Sequence, residues 1–216
     1  MRLFICGGGS DKKTILANKK FNEIIDNTKP LLYIPLALDR EIYDSCYEWI
    51  TGEMKNVNIP SIDMIRNAKE IEEKDLNNYS AIFIGGGNTF KLLSELKSCN
   101  AFNILKQYIQ NDGIIFGGSA GATILGKDIN VCLYVDNNEV LLKDTTGFDV
   151  LNGISIAAHY TNGTEEENTK AKNYINKYVK EKEDVLALSE EVTLYIDGES
   201  YEFIGEGNKY YFNPKM

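Results

Sequence analysis

The five residues Gly117-Gly118-Ser119-Ala120-Gly121 carry the strongest chemical signal in the chain. They follow the apolar run Gly113–Phe116 and lead into Thr123-Ile124-Leu125. This is a G-x-S-x-G pattern set between a predicted strand and a predicted helix. A serine on such a sharp turn lifts its hydroxyl above the C-terminal edge of a sheet. Small neighbours are needed because the turn crowds backbone against backbone. The free N–H groups and positive dipole end of the following helix suit a developing oxyanion. The same pattern also occurs as a glycine-rich turn with an incidental serine, so its partners matter.

A serine hydroxyl is a poor nucleophile until a base takes its proton. His159 is the only histidine in the chain. It follows the apolar run Ile154–Ala158, at the C-terminal end of a predicted strand, where α/β sites gather. A third group, a carboxylate, should hold the imidazole tautomer and stabilise its charged form. The acidic residues between Ser119 and His159 are Asp128, Asp136, Glu139, Asp144 and Asp149. Asp128 lies close behind the nucleophile helix. Asp136 ends the strand-like run Val131–Val135, and Asp149 sits in a segment suited to a fixed loop.

Two further glycine turns follow predicted strands. In Ile84-Gly85-Gly86-Gly87-Asn88-Thr89-Phe90, glycine N–H groups can approach a ligand, and Asn88 or Thr89 can cap the next helix. This turn is expected to offer a second oxyanion donor facing Ser119. Gly7-Gly8-Gly9-Ser10 lacks the G-x-G-x-x-G spacing and is not followed by G-K-[ST]. It reads as a structural turn on the same edge.

Those turns need a sheet to hold them. Leu3–Cys6, Leu31–Leu36, Ala81–Ile84 and Gly113–Phe116 are continuous apolar runs, as expected of strands buried on both faces. Helical segments lie between them: Lys12–Asn27, Glu41–Met54, Thr89–Leu96 and Ala101–Gln110. The alternation predicts an α/β fold with a parallel sheet covered by helices. Ala171, Tyr174, Ile175, Tyr178 and Val179 mark one face of a later helix. Beyond residue 184 the runs Val185–Leu188, Val192–Ile196, Tyr201–Ile204 and Lys209–Phe212 are short, and Asp197-Gly198 signals a hairpin. They predict a short antiparallel C-terminal extension. No linker or repeat interrupts residues 1–216, which read as one domain.

Composition narrows the function classes. The net charge of -9 and the absence of a basic run disfavour nucleic acid and anionic membranes as partners. No apolar run approaches the roughly 20 residues needed to cross a bilayer. Cys6, Cys46, Cys99 and Cys132 are scattered, with no C-x-x-C pair. Neither a zinc site nor a redox motif is signalled, and reduced thiols in a cytoplasm are the simplest account. No metal or cofactor is expected.

The chain resembles the dipeptidase E and cyanophycinase family of serine peptidases. Gly85-Gly86-Gly87-Asn88-Thr89-Phe90, Gly117-Gly118-Ser119-Ala120-Gly121, Gly147-Phe148-Asp149 and His159-Tyr160-Thr161-Asn162 carry the likeness. The resemblance implies a flavodoxin-like fold, related to class I glutamine amidotransferases, and metal-free cleavage of short peptides. It implies Ser119 as nucleophile and His159 as base. Asp136 falls nearest the family's acidic position once one residue of spacing is absorbed, with Asp128 and Glu139 as alternatives. Backbone N–H groups of Gly86 or Gly87 and of Ala120 would form the oxyanion hole. Asn88, Thr161 and Asn162 are the expected substrate contacts. The same residues would also serve an esterase or amidase, or an inactive binding protein on this scaffold. One departure stands out. Dipeptidase E prefers an N-terminal aspartate, and arginines beyond its histidine are expected to hold it. The only arginines here are Arg2, Arg40 and Arg66, all of which precede His159.

Overall fold

A computed structural model describes residues 1–213. The apolar runs form strands β1 (Arg2–Cys6), β2 (Leu31–Ile34), β4 (Ala81–Ile84) and β5 (Ile114–Gly118). With β3 (Ile62–Met64), β8 (Thr193–Asp197) and β9 (Ser200–Ile204) they make a seven-stranded sheet in the order β3-β2-β4-β5-β1-β8-β9. The pairs from β3 to β1 are parallel, and β8 and β9 add antiparallel at one side. This is the α/β, flavodoxin-like arrangement expected. The three-residue β3 carries no sequence signal of its own, because Ile62-Asp63-Met64 is too short to show a period.

Register explains how one face is built. Tyr33 pairs with Phe83, Phe83 with Phe116, Phe116 with Phe4, and Phe4 with Tyr195. An aromatic row therefore crosses five neighbouring strands on one face. Phe21 of helix α1 (Ile15–Ile24) meets Phe4 and Phe116 edge-on, with centroids 5.4 Å from each. Trp49 of helix α2 (Tyr43–Glu53) sits against Tyr33 and Phe83. Such contacts add roughly 0.5–1.5 kcal/mol per pair beyond the area they bury. Helices α3 (Thr89–Lys97) and α4 (Ala101–Gln110) pack on each other, and the short α5 (Ala120–Thr123) follows β5.

A second, three-stranded sheet has the order β10-β7-β6. It comprises β6 (Ser155–Ala157), β7 (Val185–Leu188) and β10 (Lys209–Phe212). Helix α6 (Glu165–Glu181) covers it with Ala171, Ile175, Tyr178 and Val179 buried beside Ala157, Val185 and Ala187. The C-terminal strands thus serve two sheets. β8 and β9 extend the first, and the hairpin between them turns at Gly198 with φ 60°. β7 runs parallel to β6 and antiparallel to β10. Among the described residues no helix is long and apolar enough to cross a membrane.

The run Val131–Val135 is not a strand. It begins inside a 3-10 turn at Ile129–Cys132, and the Asp136 N–H closes onto the Cys132 carbonyl at 2.9 Å. Val131 and Cys132 are buried while Leu133 and Val135 are exposed. The apolar residues are consecutive, so periodicity alone could not separate a tight turn from a short strand.

Candidate active site

β5 ends at Gly118, and Ser119 turns the chain into α5 with φ 55° and ψ -112°. That conformation is strained for a residue with a side chain. The turn also presses backbones together. A Cβ at Gly121 would stand 2.2 Å from the Ile84 carbonyl oxygen, so only glycine fits there. The packing holds Ser119 at the C-terminal edge between β4 and β1.

His159 lies two residues past the end of β6, also with positive φ, 54°. Its N–H donates to the Gly7 carbonyl at 2.8 Å, which ties the second sheet's edge to the end of β1. The Tyr134 hydroxyl donates to the neighbouring Ala158 carbonyl at 3.0 Å. The imidazole lies against Gly8, where an added Cβ would stand 2.3 Å from the ring. The turn read as structural therefore forms the floor under the histidine. Nε2 of His159 is 2.7 Å from Oγ of Ser119.

The far ring nitrogen corrects the sequence expectation. Nδ1 of His159 is 2.8 Å from Oε1 of Glu190, not bonded to Asp136. Glu190 lies two residues past the end of β7, as His159 lies two past the end of β6. The two strands are parallel neighbours, with Ala157 opposite Ala187, so their following residues emerge together. Glu190 lies beyond His159 in the chain, outside the interval between Ser119 and His159. The polar Ser189-Glu190-Glu191 turn after the apolar run Val185–Leu188 was the signal available.

Asp136 does different work. Its carboxylate accepts the Thr89 N–H at 2.9 Å and the Thr89 hydroxyl at 2.6 Å. It thereby sits at the N-terminus of α3, where a negative charge is favoured. Asp128 accepts the Asn130 N–H at 2.9 Å and is likewise not the partner of His159.

Glu190 is held from several sides. Its N–H donates to Oδ1 of Asn162 at 2.7 Å, and its Oε2 pairs with Nζ of Lys13. Lys13 also reaches Glu191 at 3.3 Å. Burial pushes the Glu190 carboxyl up, but the bonds from Lys13 and His159 outweigh it and leave the group below its ordinary 4.5. A carboxylate lowered in this way stabilises the fold above its unfolded pKa. That stability is lost as pH falls through the lower, folded value. Lys13→Met removes one of the bonds and moves the folded value up towards the unfolded one, so the acid-dependent loss should be smaller in the variant and complete at a higher pH. Thermal unfolding of both proteins, from neutrality to about pH 3, tests this linkage. Coincident pH profiles would contradict it.

The expected substrate contacts are placed elsewhere. Asn88 accepts the Lys91 N–H at 2.9 Å as the cap of α3, and its amide donates to the Asn137 carbonyl at 2.9 Å. Thr161 donates to the Tyr160 carbonyl at 2.6 Å. Asn162 is spent on Glu190 and Glu191. All three fix loops at the site, and none lines the cleft of about 330 Å³ that contains Ser119 and His159. Gly87, Thr89, Ala120 and Asp136 do line it. Gly86 runs directly alongside Ser119, since a Cβ there would stand 3.3 Å from its Oγ.

Cys132 lines this cleft and Cys6 a neighbouring cavity. Burial pushes both thiols up, and Asp136 adds to the effect at Cys132. A thiol kept protonated is a poor nucleophile. Among the described residues no group of three His, Cys, Asp or Glu side chains could hold a metal ion.

Comparison with known proteins decides the family. The model of peptidase family S51 matches residues 3–204. The chain belongs to peptidase family S51. Peptidase E of Shewanella denitrificans is 26% identical over 197 residues, covering 88% of this chain and 80% of that protein. Peptidase E of Pasteurella multocida is 26% identical over 200 residues, with 87% and 80% covered. Among solved structures, a putative peptidase E protein from Listeria monocytogenes EGD-e superposes with a TM-score of 0.73 at 22% identity. It covers 95% of this chain and 98% of its own. A peptidase from an acI-B1 Actinobacterium gives a TM-score of 0.75 at 14% identity, covering 99% and 91%. Both share the fold. By family the S51 chain is a serine peptidase of dipeptidase E-like character.

Proposed function

We propose that this S51 peptidase cleaves short peptides through an acyl-enzyme formed on Ser119. The observation that carries the reading is the continuous chain Ser119–His159–Glu190, with bonds of 2.7 and 2.8 Å. His159 takes the hydroxyl proton through Nε2 as Oγ attacks the peptide carbonyl. Glu190 holds the other ring nitrogen protonated and stabilises the imidazolium that forms. Backbone N–H groups of Ala120 and of Gly86 or Gly87 receive the developing oxyanion. The placement of Gly86 against Ser119 supports that role. The protonated imidazole then delivers its proton to the leaving amine. In the second half His159 activates water against the acyl-enzyme and returns the proton to Oγ.

The reading is tested by offering the purified protein a panel of di- and tripeptides beside simple esters and amides. Release of amino acids at a rate that depends on Ser119 is the expected result. Turnover of esters alone, with every peptide left intact, would contradict it.

A further inference from the structure

Two cavities are lined by Ser119, and each carries one carboxylate. The cleft of about 330 Å³ carries Asp136 as its one carboxylate. A smaller cavity, of about 90 Å³, lies on the other side of Ser119 and carries Glu53. A water needs roughly 10–15 Å³ on this scale, so the smaller cavity accepts several heavy atoms. Neither wall includes a lysine or an arginine.

Glu53 closes the end of α2. It accepts the Asp11 N–H at 3.0 Å, the Asn18 amide at 2.8 Å and the Thr14 hydroxyl. All three donors are neutral, and no cation among the described residues pairs with Glu53. Beside it, the buried Oδ1 of Asn18 has no donor of its own. The rest of the cavity wall includes Trp49, Phe83 and Phe116, aromatic surfaces that pack against a methylene chain and attract a cation.

We propose that the cavity beside Glu53 receives a basic, lysine-type side chain on the acyl side of the scissile bond. This inference rests on Ser119 being the nucleophile. A methylene stem would lie against the three rings, and its ammonium would complete the charge of Glu53. An aspartyl side chain at the same place would meet Glu53 or Asp136 as a like charge, which disfavours it. The specificity would therefore be opposite in sign to that of dipeptidase E.

Binding to the Ser119→Ala protein tests the cavity apart from the chemistry. Calorimetric titration would compare lysyl-leucine, norleucyl-leucine and aspartyl-leucine, which share a free N-terminus and a common second residue. A charge-assisted bond of ~1.5–3 kcal/mol predicts that lysyl-leucine binds roughly 10–100-fold more tightly than norleucyl-leucine. Aspartyl-leucine should bind most weakly. Adding Glu53→Gln to that protein should bring the lysyl to norleucyl ratio close to one. Equal binding of the first two peptides, tightest binding of the aspartyl peptide, or no binding at all would overturn the proposal. The comparison of peptides holds even if the Glu53 variant does not fold. If the expected order is found but the unmodified protein cleaves none of the three, the acyl-enzyme reading fails and the cavity assignment stands.

Discussion

Replacing Ser119 by alanine should abolish peptide turnover, with a fall in kcat of roughly 10⁴-fold or more. The hydroxyl is the only group removed, and among the described residues it bonds to Nε2 of His159 alone. Folding should be affected little. A second substitution separates chemistry from structure. Ser119 is held at φ 55° and ψ -112°, and strain of that kind costs about 1–3 kcal/mol. Ser119→Gly relieves it, against a glycine entropy cost of about 0.5–1 kcal/mol. The glycine variant should therefore be as inactive as the alanine variant, yet more stable by roughly 1 kcal/mol. Activity assays and denaturant unfolding of the pair measure both quantities. Substantial turnover in either would remove Ser119 from the mechanism.

The second large effect distinguishes the two candidate acids. Glu190→Gln keeps the shape of the side chain but cannot stabilise the imidazolium, and it allows the wrong tautomer of His159. Its kcat should fall by roughly 10³-fold or more. Asp136→Asn keeps an acceptor for the Thr89 N–H and does not touch His159. It should stay within a few-fold of the unmodified rate and lose about 0.3–1 kcal/mol of stability, the worth of a charge at a helix N-terminus. Parallel kinetics on the two amides decide between them. A collapse of rate in Asp136→Asn with a normal rate in Glu190→Gln would restore the sequence assignment.

The contrast between these acids shows what the sequence could and could not reveal. Ser119 was legible because a strand-to-helix turn restricts its neighbours to small residues, and Gly121 against the Ile84 carbonyl is that restriction in three dimensions. His159 was legible by elimination and by its place after an apolar run. The helices Ala101–Gln110 and α6 are legible from apolar periodicity, which the packed face of each preserves. Glu190 was not legible in the same way. Its position depends on β6 and β7 being parallel neighbours, a pairing of residues 30 apart in sequence, such as Ala157 with Ala187. No local pattern encodes that pairing. Asp136 misled because five consecutive apolar or aromatic residues before it suggested a strand, whereas the backbone closes into a tight turn and delivers the carboxylate to α3. Lys13 was invisible for a related reason. Its ion pair with Glu190 joins residues 177 apart.

The central claim is that Ser119 forms a covalent bond to the substrate's acyl group with His159 as base. A fluorophosphonate probe reports on this directly, since it phosphonylates a serine activated in that way. The labelled protein would be digested and its peptides analysed by mass spectrometry. The account predicts one adduct, on the peptide bearing Ser119, with labelling blocked by a competing peptide substrate and lost in the Glu190→Gln protein at matched times. Efficient peptide cleavage by a preparation whose Ser119 remains unlabelled, or label placed on another residue, would contradict it.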